Sequence, residues 1–155
     1  MRKEIEMVGD FQRQFEAPVL ETPTIPDTQR CELKISLIQE ELNEIKAGIQ
    51  ENNMIEVMDG VADLLYVTFG LINEFGLNKS IVDIFNEVHR SNMTKACNTF
   101  EEAEQTVSFY KEKDNTDSYI KVVGDTYVVY RSGDNKVLKS INYSPANIAQ
   151  HYEII

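Results

Sequence analysis

Apolar residues recur at three- and four-residue steps through most of the chain. In residues 2–16, Met7, Val8, Phe11 and Phe15 hold that spacing and predict a short amphipathic helix. Three of the four prolines then fall in APVLETPTIPDTQ, which predicts a loop ending near Asp27 or Thr28, where a second helix begins. From there to about Gln50, Ile35, Ile38, Leu42, Ile45 and Ile49 form one apolar stripe, closed by Gly48 and QENN. A third helix is predicted over 54–74, ending at the FGLN turn. A fourth starts near Ser80, with Ile81, Ile84, Phe85 and Val88 on one face. NTFEEAEQ reads as a capping box, Thr99 with Glu102, opening a fifth helix to about Lys113.

The composition then shifts to Val, Tyr and Ile, with GD and SGDN as turn signals, and predicts two or three antiparallel strands in a meander. So small a hairpin is marginal alone and must pack on helices. The expected fold is mainly α: a helix bundle of about five helices with a small C-terminal antiparallel β hairpin or meander. Residues 1–155 are expected to form a single domain, with a helical core over 1–115 and a β appendage over 116–145.

The third helix breaks its own pattern. Stepping 100° per residue places Glu56, Asp59 and Asp63 in one row, which Tyr66 and Gly70 extend. The rest of its circumference is apolar, from Val57 and Val61 to Leu71 and Ile72, so the helix should lie inside a bundle. An ionised Asp63 there is costly to bury without compensation. Pairing with Arg30 or Lys34, or capping a neighbouring helix, is one way to supply it. Convergence on a cation is another. In the second helix Glu41 and Glu44 flank the apolar stripe, and an antiparallel pairing through QENN turns them toward Asp59 and Asp63. Ligation by oxygen alone favours Mg²⁺, or Mn²⁺, over zinc. The plainer reading of QEELNEIK is a solvated helix face.

Charge narrows the partners. The net charge of −11 argues against nucleic acid or an anionic membrane as the main partner. Cys31 and Cys97 show neither CxxC nor zinc spacing and read as reduced thiols of a cytoplasmic protein. No apolar run reaches the roughly 20 residues of a membrane span. The sequence has no GxxxxGK[ST] phosphate loop, and its only histidines are His89 and His151.

EELNE, Glu40 to Glu44, followed by ADLLYV from Ala62, resembles the EExxE and ExxD signature of the all-α nucleoside triphosphate pyrophosphohydrolases. That superfamily includes the MazG proteins, the dimeric dUTPases and the phosphoribosyl-ATP pyrophosphohydrolases. The resemblance covers roughly residues 28–96. One position departs from it: with Asp63 as the motif aspartate, Gly60 stands where the pattern has Glu. Asp59 then assists from one turn away; alternatively Glu56 and Asp59 are themselves the ExxD pair. The resemblance implies a homodimer or homotetramer, and Mg²⁺-dependent cleavage of a nucleoside triphosphate or similar small nucleotide to monophosphate and pyrophosphate. It implies Glu41, Glu44, Asp59 and Asp63 as metal ligands and Glu40 as catalytic base. EVHRSNMTK, residues 87–95, resembles a polar segment of a phage-like branch, which points to Asn92, Lys95 and Arg90 as substrate contacts, with His89 less directly placed. Lys79 is a further candidate for the leaving pyrophosphate. Tyr66 either lines the nucleotide pocket or, more ordinarily, fills core.

Two rivals remain at this level. A di-iron carboxylate bundle wants two Glu-x-x-His motifs, and EVH at 87–89 has the wrong spacing. A nucleotide sensor on the same fold, binding metal and nucleotide without turnover, is the other.

Overall fold

Side-chain caps set where the long helices begin. In the computed structural model, which describes residues 1–152, the Asp27 carboxylate accepts from Arg30 N at 2.9 Å and opens helix α2, Thr28–Gln50. Asn53 Oδ1 accepts from Ile55 N at 3.1 Å and opens α3, Met54–Glu74. Residues 51–53 join the two. Gly48 lies against Val57 and Gly60 against Ile45, pairs that step in opposite senses, so α2 and α3 run antiparallel. A Cβ on Gly60 would come within 2.9 Å of Ile45 Cγ1 and 3.2 Å of its backbone N, so only glycine allows this approach.

Helix α1, Arg2–Gln14, packs on α3 through polar groups as well as apolar ones. Asn73 Nδ2 donates to Ile5 O at 3.0 Å and to Gln12 Oε1 at 2.9 Å, and Gln12 Nε2 donates to Gly70 O at 3.0 Å. The buried face of α1 is therefore Ile5, Val8, Gly9 and Gln12. The apolar spacing predicts Met7, Val8, Phe11 and Phe15 instead, and of these only Val8 is buried. The amide network fixes the helix rotation, and the row Met7, Phe11, Phe15 is turned outward. With Met1–Asp83, His151 and Tyr152 complete the first of two units into which the chain divides.

The exposure of the α2–α3 pair corrects one expectation, that α3 lies inside a bundle. Of the α2 stripe, Ile38 and Ile45 are half-buried, but Ile35, Leu42 and Ile49 are exposed. Helix α3 does not lie enclosed in a bundle within this unit: it packs on α2 and α1, leaving Ile55, Met58, Val61 and Leu65 exposed. The cause is helix number. Two neighbours cannot surround a helix that is apolar over most of its circumference.

The second unit is Ile84–Gln150. Helix α4, Ile81–Met93, leads into it, and α5, Phe100–Asp114, opens with the expected capping pair. Thr99 Oγ1 accepts from Glu102 N at 3.1 Å, while the Glu102 carboxylate accepts from Asn98 N at 2.9 Å. Strands β1, Ser118–Val123, and β2, Thr126–Arg131, pair antiparallel from Ser118 with Arg131 to Val123 with Thr126. Gly124, at φ +56°, makes the two-residue turn between them. In place of a third strand there are single bridges from β2 to Cys97 and to Val137. Helix α5 packs on this hairpin around Cys97, Ala103, Val129 and Leu138.

Residues 139–147 form a strap over the unit. Ser140 Oγ donates to Glu102, Ser91 Oγ donates to Tyr143 Oη at 2.8 Å, and Ser144 N donates to Thr94 Oγ1 at 2.9 Å. A short helix α6, Ala149–Tyr152, follows. Both cysteines are free thiols, and no helix among the described residues is long and apolar enough to cross a membrane.

Candidate active site

The buried acid of α3 is not Asp63 but Glu74. It is 1% exposed and accepts from Arg30 Nη2 at 2.7 Å, Arg30 Nε at 3.1 Å, Lys34 Nζ at 2.7 Å and Gln12 Nε2 at 3.3 Å. The cations that the sequence offers to Asp63 thus belong to an acid three turns further on. Nothing in the spacing of Glu74 marks it; it stands beside Asn73 at a helix end, where polar residues are ordinary.

Asp63 is exposed, as are Asp59, Glu40 and Glu44, while Glu41 is half-buried. The register of the hairpin brings them together. Gly60 is level with Ile45 and its Cβ position is 3.5 Å from Glu41 O, so one turn further along α3 sits level with one turn back along α2. That places the Asp59 and Asp63 side of α3 beside the Glu41 and Glu44 side of α2. The consequence is electrostatic. Burial pushes the Glu41 carboxyl above the usual carboxylate range, and repulsion from Glu44, Asp63, Glu40 and Asp59, in that order, pushes it further. No ion pair reaches any of these five carboxylates among the described residues.

Glu56 is placed differently. Its Cβ lies 3.1 Å from where a Cβ on Gly48 would be, near the turn of the hairpin. The Gly60 departure also has its reason: a glutamate there would collide with Ile45.

Five carboxylates from two packed helices form an oxygen-only donor set that suits a hard divalent cation. Among the described residues no three Asp, Glu, His or Cys side chains close round one point. Like charges at this range repel, and long glutamate side chains relieve that repulsion by splaying.

The remaining candidates lie in the second unit. Asn92 is exposed near the end of α4, and Lys95, half-buried just beyond it, accepts from Ser140 N at its carbonyl at 3.2 Å. Arg90 is committed to the strap. Its Nε and Nη2 donate to Glu87 at 2.8 Å each, and further bonds run to Ser144 Oγ and Pro145 O at 3.1 Å each. In the first unit, Lys79 is paired with Glu21 at 2.8 Å. Tyr66 is 41% exposed, which excludes it from the core of this unit.

An antiparallel helix pair bearing acids of both helices at one level, in a mainly helical chain with a small C-terminal β hairpin, defines the class of fold. The phosphoribosyl-ATP pyrophosphohydrolase family matches residues 8–92, more than half of the chain, and the chain belongs to it. It is also similar to "Uncharacterized protein L479" of Acanthamoeba polyphaga mimivirus, 24% identical in an alignment that covers 96% of this chain and 95% of that one.

Proposed function

We propose that the protein is a Mg²⁺-dependent nucleoside triphosphate pyrophosphohydrolase that releases pyrophosphate and a nucleoside monophosphate. One observation carries the reading beyond family membership: Asp59 and Asp63 across the α2–α3 contact, and Glu40 and Glu44 on α2 itself, all act on the half-buried Glu41, and among the described residues no ion pair reaches any of the five. Such a cluster stabilises nothing by itself. It is arranged to receive positive charge.

Glu41, Glu44 and Asp63, with Asp59 beside them, would hold Mg²⁺, or Mn²⁺ in its place. When bound, the ion offsets the triphosphate charge that a −11 chain would otherwise repel and polarises phosphoryl oxygens. Glu40, exposed and one residue from Glu41, takes the proton of the attacking water at its carboxylate. Asn92 and Lys95 are the proposed sugar or phosphate contacts; Lys95 has no carboxylate partner among the described residues. Arg90 acts by fastening the strap beside them.

The exposed apolar faces of the hairpin support assembly as a homodimer or homotetramer. A groove of about 560 Å³ along α2, lined by Leu42, Ile45 and Ile49 among others, is of a kind that a second copy covers.

The test is pyrophosphate release from a panel of canonical and modified nucleoside triphosphates, with Mg²⁺, with EDTA, and in an Asp63→Asn variant. Release that needs the metal and is lost on substitution supports the reading. Mg²⁺-dependent binding without release converts it to a nucleotide sensor, and no binding at all sinks it.

A further inference from the structure

Phe11 and Phe15 of α1 and Tyr66 of α3 stand together on the outside of the first unit. The Phe11 and Phe15 ring centroids are 4.4 Å apart at 39°, and the Phe11 and Tyr66 rings meet edge to face at 5.6 Å. All three are open: Phe11 is 46% exposed, Phe15 66% and Tyr66 41%. Three touching aromatic rings left in water are unusual for a chain with only seven Phe and seven Tyr, because such rings ordinarily supply core.

Their position gives them an occupant. Tyr66 follows Asp63 by three residues on the same row of α3, a rise of about 4.5 Å. Helix α1 runs antiparallel to α3, with Ile5 at Asn73, Val8 at Gly70 and Phe11 at Tyr66, so Phe15 lies on the Asp63 side of Phe11. Acids for a charged group and aromatic rings for a flat one thus stand side by side on this unit. We propose that Phe11, Phe15 and Tyr66 form a stacking shelf for the base of the nucleotide whose phosphates the carboxylate row receives. This rests on the reading of that row given above and adds the substrate's other half. Every base has a π face, so a shelf of this kind selects base-bearing nucleotides over bare polyphosphate and tolerates different bases. The Tyr66 hydroxyl, with no hydrogen-bond partner among the described residues, is the shelf's one polar handle for discriminating among them.

The test compares a nucleoside triphosphate with inorganic tripolyphosphate, which carries the charge and lacks the base. In Phe11→Ala the KM for the nucleotide should rise about tenfold while that for tripolyphosphate stays within twofold. Phe11→Leu keeps apolar bulk without the π face and should shift in the same direction, which separates stacking from a folding defect. A second arm needs no turnover: ring-proton shifts on adding a nucleoside monophosphate, seen in the wild type and lost in Phe11→Ala. Equal changes for both substrates, or a change in oligomeric mass on substitution, would overturn the shelf and make the rings an interface with a second copy. Pyrophosphate release without the ring shifts removes the shelf and leaves the carboxylate reading standing; ring shifts without release do the reverse.

Discussion

Glu74 and Asp63 lie on the same helix and face opposite circumstances. Glu74 is sealed from water and accepts from Arg30, Lys34 and Gln12. Asp63 is in the open, and across the helix contact its charge acts on another acid, Glu41. A buried charge with its partners supplied is a structural joint: it ties α3 to α2 and to α1 at once. An exposed acid among acids opposes the packing it sits on. The difference separates the fold's electrostatics from the site's, on one helix.

The two acids separate most clearly when each is neutralised in turn. Asp63→Asn should lower metal-dependent pyrophosphate release by at least about 100-fold, more than the loss of an outer partner to a metal ligand costs. Its urea midpoint should be unchanged or slightly raised, because one repulsive charge is gone. A variant that unfolds more readily and keeps its turnover would place Asp63 with the structural acids.

Glu74→Ala should do the opposite and cost stability. Removing one member of a buried ion network leaves the others unpaired, at about 3–5 kcal/mol. The lower end is expected here, because Arg30 retains 29% exposure and regains water. Denaturant unfolding measures it, and a loss below about 1 kcal/mol would mean that the network contributes no more than a surface pair.

Magnesium distinguishes the two acids without a chemical step. A ligand that binds only the folded protein stabilises it by about 2.7 kcal/mol at 100-fold excess over its Kd. The thermal midpoint should therefore rise with Mg²⁺ in the wild type and in a milder Glu74→Gln variant, and stay level in Asp63→Asn.

The sequence disclosed the hairpin far better than its exposure. Residues 54–74 were legible as a helix because period, cap and stop signal coincide, from Asn53 to the FGLN turn. The level of Glu41 with Asp63 followed from the shortness of the connection, which forces antiparallel pairing. The partner of Arg30 and Lys34 was not legible: several acids compete for two cations, and only the packing of Gln12 and Asn73 decides for Glu74. Nor was the outward turn of Phe11 and Phe15, since periodicity reports that residues share a face and not what that face meets. The carboxylate motif itself was carried by a resemblance, and the matched residues 8–92 now supply the family.

A weaker effect follows pH. The Glu41 carboxyl sits above its ordinary value of 4.5, first because burial disfavours its charge and then because four acids repel it. A carboxyl whose folded pKa exceeds its unfolded one holds its proton more tightly in the folded chain. Its contribution to stability is therefore full below the unfolded value and is lost as pH rises through the raised one. Other carboxyls, such as Asp117 beside Lys111, are shifted down and contribute with the opposite sign, so the wild type alone would not isolate the effect. The difference between wild type and Glu41→Gln does. In EDTA the two should melt together at the acid end, and the variant should gain on the wild type as pH rises toward neutrality. Adding Mg²⁺ at neutral pH should reverse the order, since on the proposed reading the charge that weakens the empty fold is the charge that receives the ion. A variant less stable than the wild type in EDTA at neutral pH would give Glu41 a cationic partner, and the carboxylate row would then be a joint like Glu74.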